Sequence, residues 1–137
     1  MMSVFEKIVA GEIPCHKVWE DSEHFAFLDI RPVAPGHTLV IPKKKVDPIF
    51  ALDEAAYQRL MLAAKKVADL LKSKIPCERV CMAVLGFEVP HAHIHLVPCR
   101  SMADLHWPGG KAASQEELKA ILSKIQETYP PGRGVTA

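Results

Sequence analysis

The chain has 137 residues, a length that suits one domain built around one hydrophobic core. Its formal net charge of +1 excludes the strong basic field with which polynucleotide-binding and membrane-surface proteins attract their partners. The amino terminus has no signal-like pattern, and no apolar run reaches the roughly 18 residues that a membrane-spanning helix needs. We therefore expect a cytoplasmic protein, and its four cysteines, which lack Cys-x-x-Cys spacing, are expected to be reduced thiols.

The first part of the chain predicts one short helix and three strands. Apolar residues in the range 4–13 recur at helical spacing before a glycine and a proline end the pattern. Two strand-like runs at 17–20 and 25–29 flank a turn-forming Asp-Ser pair, which predicts a hairpin. The range 37–42 is rich in β-branched residues and predicts a third strand.

The middle of the chain predicts one long helix and two further strands. Between 53 and 75, apolar residues step by three or four positions, and Pro76 ends the helix. The range 79–85 contains few polar residues, which predicts a central strand buried on both faces. A fifth strand is predicted over 89–98, after a short turn.

The carboxyl-terminal region predicts a second helix and a loose tail. Ser114 and Glu117 form a capping-box pattern, which predicts a helix over about 114–128, and the tail at 130–137 is rich in proline and glycine. Consecutive strands with two separated helices predict an α+β fold with an antiparallel sheet of about five strands. The long central helix and the C-terminal helix belong to the same single domain, which spans 1–137.

Three histidines alternate with apolar residues in the fifth predicted strand. Because the side chains of an extended segment alternate between faces, His91, His93 and His95 lie on one face of the sheet. Neutral imidazole serves as a nucleophile, a general base or a metal ligand, and protonated imidazole donates to phosphate oxygens. From these residues alone, a catalytic site, a metal site and a solvated polar face all remain open. His37 begins the third strand and by itself is most simply a surface or capping residue.

These residues resemble the histidine triad (HIT) family, whose signature is His-x-His-x-His followed by apolar residues. Three further blocks, at 5–14, 26–30 and 34–44, are similar to family blocks and stand in the same order. The resemblance covers roughly residues 3–110. It implies a HIT-like α+β fold and membership of a group of nucleotide hydrolases and transferases, often homodimers whose two sheets join.

The resemblance implies a role for each histidine. His93 would attack the α-phosphorus of a nucleotide and form a nucleotidyl-histidine intermediate that water then cleaves. A backbone carbonyl or the neighbouring His91 would hold the other nitrogen of His93 in the required tautomer. Protonated His95 and His37 would donate to the charge that develops on the phosphate and on the leaving group. This chemistry requires no metal and no cofactor.

The resemblance also implies which residues bind the nucleotide. Asp29 matches a family carboxylate that accepts hydrogen bonds from the ribose hydroxyls. Trp107, within His-Trp-Pro at 106–108, resembles a segment that reaches the site of a dimer partner in the phosphoramidase branch. The apolar residues expected at the base slot are Phe5, Ile8, Phe27, Leu28 and Ile30.

The sequence departs from the family pattern in two places. Some relatives hold structural zinc with an amino-terminal Cys-x-x-Cys and two histidines. The matching positions in this chain are Ser3, Glu6, Lys45 and His91. The zinc site is therefore expected to be absent. The loop at 86–89 is shorter than the polar loop of relatives, so its contacts to phosphate are missing or come from other residues.

The expected function is hydrolysis or transfer at the α-phosphate of a purine nucleotide phosphoramidate or a related nucleotide conjugate. One alternative is a dinucleoside polyphosphate hydrolase that uses the same nucleophile, His93. Another is a non-catalytic module that binds a metal or a nucleotide through the same histidines. A purine nucleotide and a second copy of the chain are the expected partners, and no polynucleotide or membrane is expected.

Overall fold

The computed structural model describes residues 2–107 and 111–127. Its five strands form one sheet in which every neighbouring pair is antiparallel, as predicted. The spatial order is β1-β2-β3-β5-β4. The strands are β1 (Lys17–Glu20), β2 (His24–Leu28), β3 (Thr38–Pro42), β4 (Arg79–Ala83) and β5 (Ile94–Cys99).

Three α-helices accompany the sheet in the described residues: α1 (Val4–Val9), α2 (Glu54–Lys74) and α3 (Gln115–Gln126). The predicted capping box begins α3, because the hydroxyl of Ser114 accepts the Glu117 N–H and the Glu117 carboxylate accepts the Ser114 N–H. None of the described helices is both long enough and apolar enough to cross a bilayer. The predicted loose tail at 130–137 lies outside the described residues.

The two faces of the sheet carry different cores. On one face, Leu28, Ile94 and Leu96 pack against buried residues of α2 such as Leu60, because alternate strand residues point the same way. On the other face lies a smaller cluster, which we call the aromatic cluster and which consists of Phe5, Phe25, Phe27, Leu39 and Ile41. Phe5 belongs to α1, so this short helix covers the same face on which the histidines lie.

The prediction for β4 is wrong in one respect. The range 79–85 was expected to be a central strand buried on both faces, but β4 pairs only with β5 and forms an edge of the sheet. An apolar sequence pattern does not distinguish an edge strand from a central strand of the sheet, because hydrophobicity carries no information about which strands lie beside it. The edge and the loop after it expose a group of apolar side chains: Met82, Val84, Leu85 and Phe87.

Candidate active site

His93 lies directly before β5, and the backbone fixes one of its ring nitrogens. Its Nδ1 is 2.7 Å from the carbonyl oxygen of His91. A carbonyl oxygen only accepts hydrogen bonds, so Nδ1 carries a proton, and in the neutral ring the lone pair is on Nε2. Within the described part of the chain, no residue bonds to Nε2. The bond therefore selects, for the neutral ring, the tautomer that a nucleophilic imidazole requires.

The three histidines of the triplet share one face, as predicted, although β5 begins only at Ile94. The ring of Phe5 meets the ring of His93 edge-on at 5.0 Å and the ring of His91 at 5.6 Å. The ring of His93 in turn lies 5.0 Å from that of His95. The rings thus lie in one row although His91 is in a bend and both His91 and His93 precede the hydrogen-bonded ladder.

His91 is held inside the protein by bonds to both ring nitrogens. Its Nε2 donates to the carbonyl of Pro42 at 2.8 Å, and its Nδ1 lies 2.7 Å from the hydroxyl of Ser3. The side chain is completely buried, and this burial lowers the pKa of His91. Of the two ways to hold His93 that the sequence left open, the structure uses the backbone carbonyl of His91 and not its ring.

His37 and His95 form a hydrogen-bonded pair whose tautomers are set by the backbone. The N–H of Val33 donates to Nδ1 of His37 at 3.0 Å, so the proton of neutral His37 resides on Nε2. That nitrogen is 3.0 Å from Nδ1 of His95 and donates to it. His95 consequently carries its own proton on Nε2, where the ring presents an N–H donor.

Both members of this pair are neutral in the free protein near pH 7. Burial lowers the pKa of His37 to about 4. Burial also lowers the pKa of His95 to about 4, and the neighbouring histidines add to the effect. The expectation that protonated His95 and His37 donate during the reaction concerns the substrate-bound protein and stays a prediction, whereas burial keeps both rings neutral in the free protein.

Asp29 follows β2 and places a carboxylate beside this pair. Its Oδ1 accepts the Arg31 N–H at 2.8 Å, and its Oδ2 is 3.6 Å from Nε2 of His37. Burial is the main cause that raises the pKa of Asp29. A cavity of about 580 Å³ opens beside Asp29 and His37, between the 32–36 loop and α3. Its lining includes Asp29 and His37 but neither His93 nor His95.

The donor atoms of Asp29, His37 and His95 lie close enough together to bind one metal ion, but the neutral ring of His37 carries its proton on Nε2, the nitrogen that faces the other two. One donor atom from each lies within 4.8 Å of the others. A histidine that binds a metal through Nε2 normally donates its Nδ1 proton to an acceptor. In this protein Nδ1 of His37 faces the Val33 N–H, which is itself a donor. The arrangement therefore does not fit a metal ion, and the hydroxyl and amine at Ser3 and Lys45 do not supply zinc ligands either.

Trp107 packs against the histidines of its own chain. Its ring meets His95 edge-on at 5.2 Å and His37 at 5.8 Å, and 38% of the residue is exposed. The resemblance led us to expect that this side chain reaches the site of a dimer partner. Within one chain, Trp107 gives His37 and His95 an aromatic wall, and its contact with a partner's site stays a prediction. Pro108 lies outside the described residues.

The residues expected at the base slot divide between three locations. Phe5 and Phe27 are buried and in contact at 5.5 Å, and the half-buried Ile8 packs against them. Ile30 follows Asp29 and is 61% exposed. Leu28 instead lies in the core beneath α2, because it occupies the alternate face of β2. Leu28 therefore lies on the opposite face from Phe5 and Phe27, where it lines the cavity beside Asp29.

Two groups that the sequence-based interpretation missed complete the site. The Val33 N–H sets the tautomer of His37, and no sequence signal identifies a backbone donor in a loop. The Ser3 hydroxyl bonds to His91, which is 88 positions away along the chain. The Ser-x-x-Glu pattern at 3–6 predicts a helix cap from the sequence, but it does not indicate that Ser3 also bonds to His91.

The fold and the site together define a class. This is an α+β domain in which an imidazole with an unbonded Nε2 lies next to a second imidazole that presents an N–H donor and near a carboxylate. An imidazole with an available lone pair can serve as a nucleophile, and a fixed N–H can serve as a donor to developing negative charge.

Comparisons with known proteins agree with this class. The sequence profile of the HIT domain matches residues 10–102. A HIT-like protein of Mycoplasma genitalium is 39% identical over 131 residues, which cover 92% of this chain and 88% of the relative. A HIT-like protein of Borreliella burgdorferi is 37% identical over 102 residues, covering 69% and 73% of the two chains.

Solved structures give the same result. A HIT-like protein from Bartonella henselae superimposes with a TM-score of 0.80 at 29% identity, over 90% of this chain and 93% of that one. A HIT family hydrolase from Legionella pneumophila gives a TM-score of 0.66 at 35% identity, over 80% and 100%. The chain belongs to the HIT family.

Proposed function

We propose that the protein is a hydrolase or transferase acting on the α-phosphate of a purine nucleotide phosphoramidate through a covalent nucleotidyl-His93 intermediate. The observation that carries the proposal is the 2.7 Å bond from Nδ1 of His93 to the His91 carbonyl, which leaves the Nε2 lone pair available. Among the solved relatives, one from Sulfolobus tokodaii is described as a histidine triad nucleotide-binding protein, and the Legionella relative as a hydrolase.

In the first step, Nε2 of His93 bonds to phosphorus and the bond from phosphorus to the leaving amine breaks. The ring becomes cationic, because Nδ1 keeps its proton. The His91 carbonyl that accepts this N–H then stabilises the positive charge, since a hydrogen bond from a cation is stronger than one from a neutral donor. In the second step a water molecule attacks phosphorus and gives one proton to His95, which became neutral when it protonated the amine, and the bond from phosphorus to Nε2 of His93 breaks to release the neutral imidazole.

His95 supplies the donor for the phosphate and the leaving group. Its Nε2–H is fixed by the chain of bonds from Val33 through His37. The negative charge of a bound phosphate raises the pKa of an adjacent imidazole, so His95 takes up a proton on binding and passes it to the departing amine. Removal of one such donor typically lowers kcat by about 10² to 10³.

The nucleoside part would be held beside these histidines. The Asp29 carboxylate, fixed by the Arg31 N–H, accepts the ribose hydroxyls. The exposed Ile30 and the half-buried Ile8, next to Phe5, offer an apolar surface for a base. A purine has a large flat face, and burying apolar area contributes roughly 25 cal/mol per Å² to binding.

We further propose that the protein forms a homodimer through β4. Among the described residues, β4 pairs on one side only, and exposed apolar side chains line it and the following loop. An exposed apolar edge strand tends to pair with another strand. A second copy of β4 satisfies the free backbone groups and covers Met82.

The decisive experiment mixes the protein with adenosine 5′-phosphoramidate labelled in the adenosine. We expect release of adenosine monophosphate and, after rapid denaturation, a labelled adduct that maps to His93. His93→Ala should abolish both, whereas His16→Ala, a histidine located before β1, is the matched control and should alter neither.

Other results would contradict the proposal. A rate of hydrolysis of a diadenosine polyphosphate that is much higher than the rate for adenosine 5′-phosphoramidate would favour the dinucleoside polyphosphate hydrolase instead. Nucleotide binding with neither turnover nor adduct would favour a non-catalytic binding module.

A further inference from the structure

The hydroxyl of Ser3 makes two hydrogen bonds with defined directions. Ser3 precedes α1, and its Oγ accepts the Glu6 N–H at 3.0 Å, while the Ser3 N–H donates to the Glu6 carboxylate at 3.0 Å. Oγ also lies 2.7 Å from Nδ1 of His91. Since an amide N–H already occupies one lone pair of the hydroxyl, its hydrogen is free to point toward His91.

The second bond of His91 shows that Ser3 is the donor. Nε2 of His91 donates to the carbonyl of Pro42, which only accepts. Nδ1 therefore carries the lone pair and accepts the hydrogen of Ser3. Ser3 and His91 are 6% and 0% exposed, so water does not replace either bond.

The two hydrogen bonds of the His91 ring also hold the segment that contains His93. His91 and His93 precede β5, so the sheet ladder does not hold them. The His91 ring, bonded to Pro42 on one side and to Ser3 on the other, ties this segment to β3 and to α1. The carbonyl of the same residue sets the tautomer of His93.

We propose that Ser3 is a positioning residue for the reaction at His93. Its hydroxyl holds His91 in the orientation and the tautomer that the Pro42 carbonyl selects, and the carbonyl of His91 then keeps a proton of His93 on Nδ1, which leaves Nε2 of the neutral ring with the lone pair. Ser3 lies outside the region that the HIT domain profile matches, so family membership does not assign it a role. The effect on rate depends on the proposed function, but the effect on the histidine tautomers does not.

Three variants separate the hydrogen bond from the helix cap. Ser3→Ala removes the cap and the donor together, whereas Ser3→Thr keeps both. Ser3→Asp keeps the cap, because aspartate is a strong N-cap residue. Its carboxylate has no hydrogen to donate, so Nδ1 of His91 must take up a proton to be satisfied. Ser114→Ala is the matched control, since it removes the same type of capping box from α3.

The first measurement uses long-range ¹H–¹⁵N spectra of the free full-length protein at pH 7, which report the tautomer of each histidine without any substrate. In the wild type, we expect a lone pair on Nδ1 of His91 and on Nε2 of His93. Ser3→Asp should show both nitrogens of His91 protonated, and Ser3→Ala should show mixed tautomers of His93. Wild-type spectra for both variants would overturn the proposal.

The second measurement is the rate with adenosine 5′-phosphoramidate. Misplacing a reacting group commonly lowers the reaction rate by about 10-fold to 100-fold. The kcat of Ser3→Ala and of Ser3→Asp should therefore fall by that factor, with little change in KM. Ser3→Thr should restore kcat, and Ser114→Ala should leave it unchanged. An equal loss in Ser3→Ala and Ser114→Ala, or full kcat in Ser3→Asp, overturns the proposal. If the wild type turns over no substrate, the proposed function fails and the spectra alone decide the role of Ser3.

Discussion

The Nε2 atom of His37 lies 3.0 Å from the Nδ1 atom of His95, and both side chains are buried. A proton added to Nδ1 of His95 would place two N–H groups against each other. His37 would then have to turn its donor toward Asp29, whose Oδ2 is 3.6 Å away. Protonation of His95 is thus coupled to the carboxylate that we propose binds the ribose.

The buried pair should make the fold sensitive to acid. The pKa of His37 is about 4 in the folded protein and near 6.5 when unfolded, so the unfolded state binds more protons between these values. The free energy of unfolding therefore falls as the pH drops through this window, by about 2 kcal/mol for one such histidine between pH 7 and pH 4.5. Urea unfolding at the two pH values measures the loss.

Replacing His37 should remove part of this pH dependence. His37→Gln keeps an N–H donor but does not titrate, so the loss between pH 7 and pH 4.5 should shrink by about 2 kcal/mol. His106→Gln, at an exposed position, is the control. Equal losses for His37→Gln and the wild type would contradict this account.

A bound phosphate should raise the pKa of His95 above its value of about 4 in the free protein. The cause is attraction between the imidazolium and the nearby anion. NMR titration of the ring from pH 4 to pH 7, with and without adenosine monophosphate, gives the shift. Adenosine, which lacks the phosphate, should leave the pKa unchanged, and an equal shift with adenosine would refute the prediction.

Asp29→Asn should weaken selection for a ribose. A carboxylate accepts hydrogen bonds from hydroxyls more strongly than an amide does, at about 1.5–3 kcal/mol for a bond to a charged group. The wild type should therefore prefer a ribonucleotide phosphoramidate over its 2′-deoxy analogue by about tenfold or more in kcat/KM. The variant should show a preference several times smaller. If both proteins discriminate equally, Asp29 does not bind the sugar.

Trp107 should report on the site by its fluorescence. The chain contains two tryptophans, so Trp19→Phe leaves Trp107 as the sole emitter. Its ring lies 5.2 Å from His95, and a protonated imidazole quenches a neighbouring indole. Emission should decrease on acidification toward pH 4 and on addition of nucleotide. Unchanged emission in both experiments would show that Trp107 lies away from the site in solution.

A charge at the β4 edge should prevent dimer formation. Met82 is 52% exposed on β4, and Leu62 is 60% exposed on α2. Burying an unpaired charge in an interface costs several kcal/mol. Met82→Arg should thus sediment as a monomer at concentrations where the wild type and Leu62→Arg sediment as dimers. A monomeric wild type, or a dimeric Met82→Arg, would exclude this interface.

Much of the secondary structure was predictable from the sequence, because the spacing of apolar residues along a helix or strand follows from which side chains must be buried. The pattern between 53 and 75 predicted α2, and the capping box at Ser114 predicted the start of α3. The antiparallel sheet followed from consecutive strands accompanied by two separated helices, without a regular alternation of strand and helix. The edge position of β4 did not follow, because strand order depends on contacts between segments distant in the chain.

The sequence by itself predicted that His91, His93 and His95 lie in one row, since alternate residues of an extended chain share a face, and their rings do so although β5 begins only at Ile94. Only the tertiary structure decided which nitrogen of each ring carries a proton. That choice rests on three distant groups: the carbonyl of Pro42, the N–H of Val33 and the hydroxyl of Ser3. Burial likewise set the neutral state of His37 and His95, because the cost of charging an imidazole depends on the solvent that the folded chain excludes.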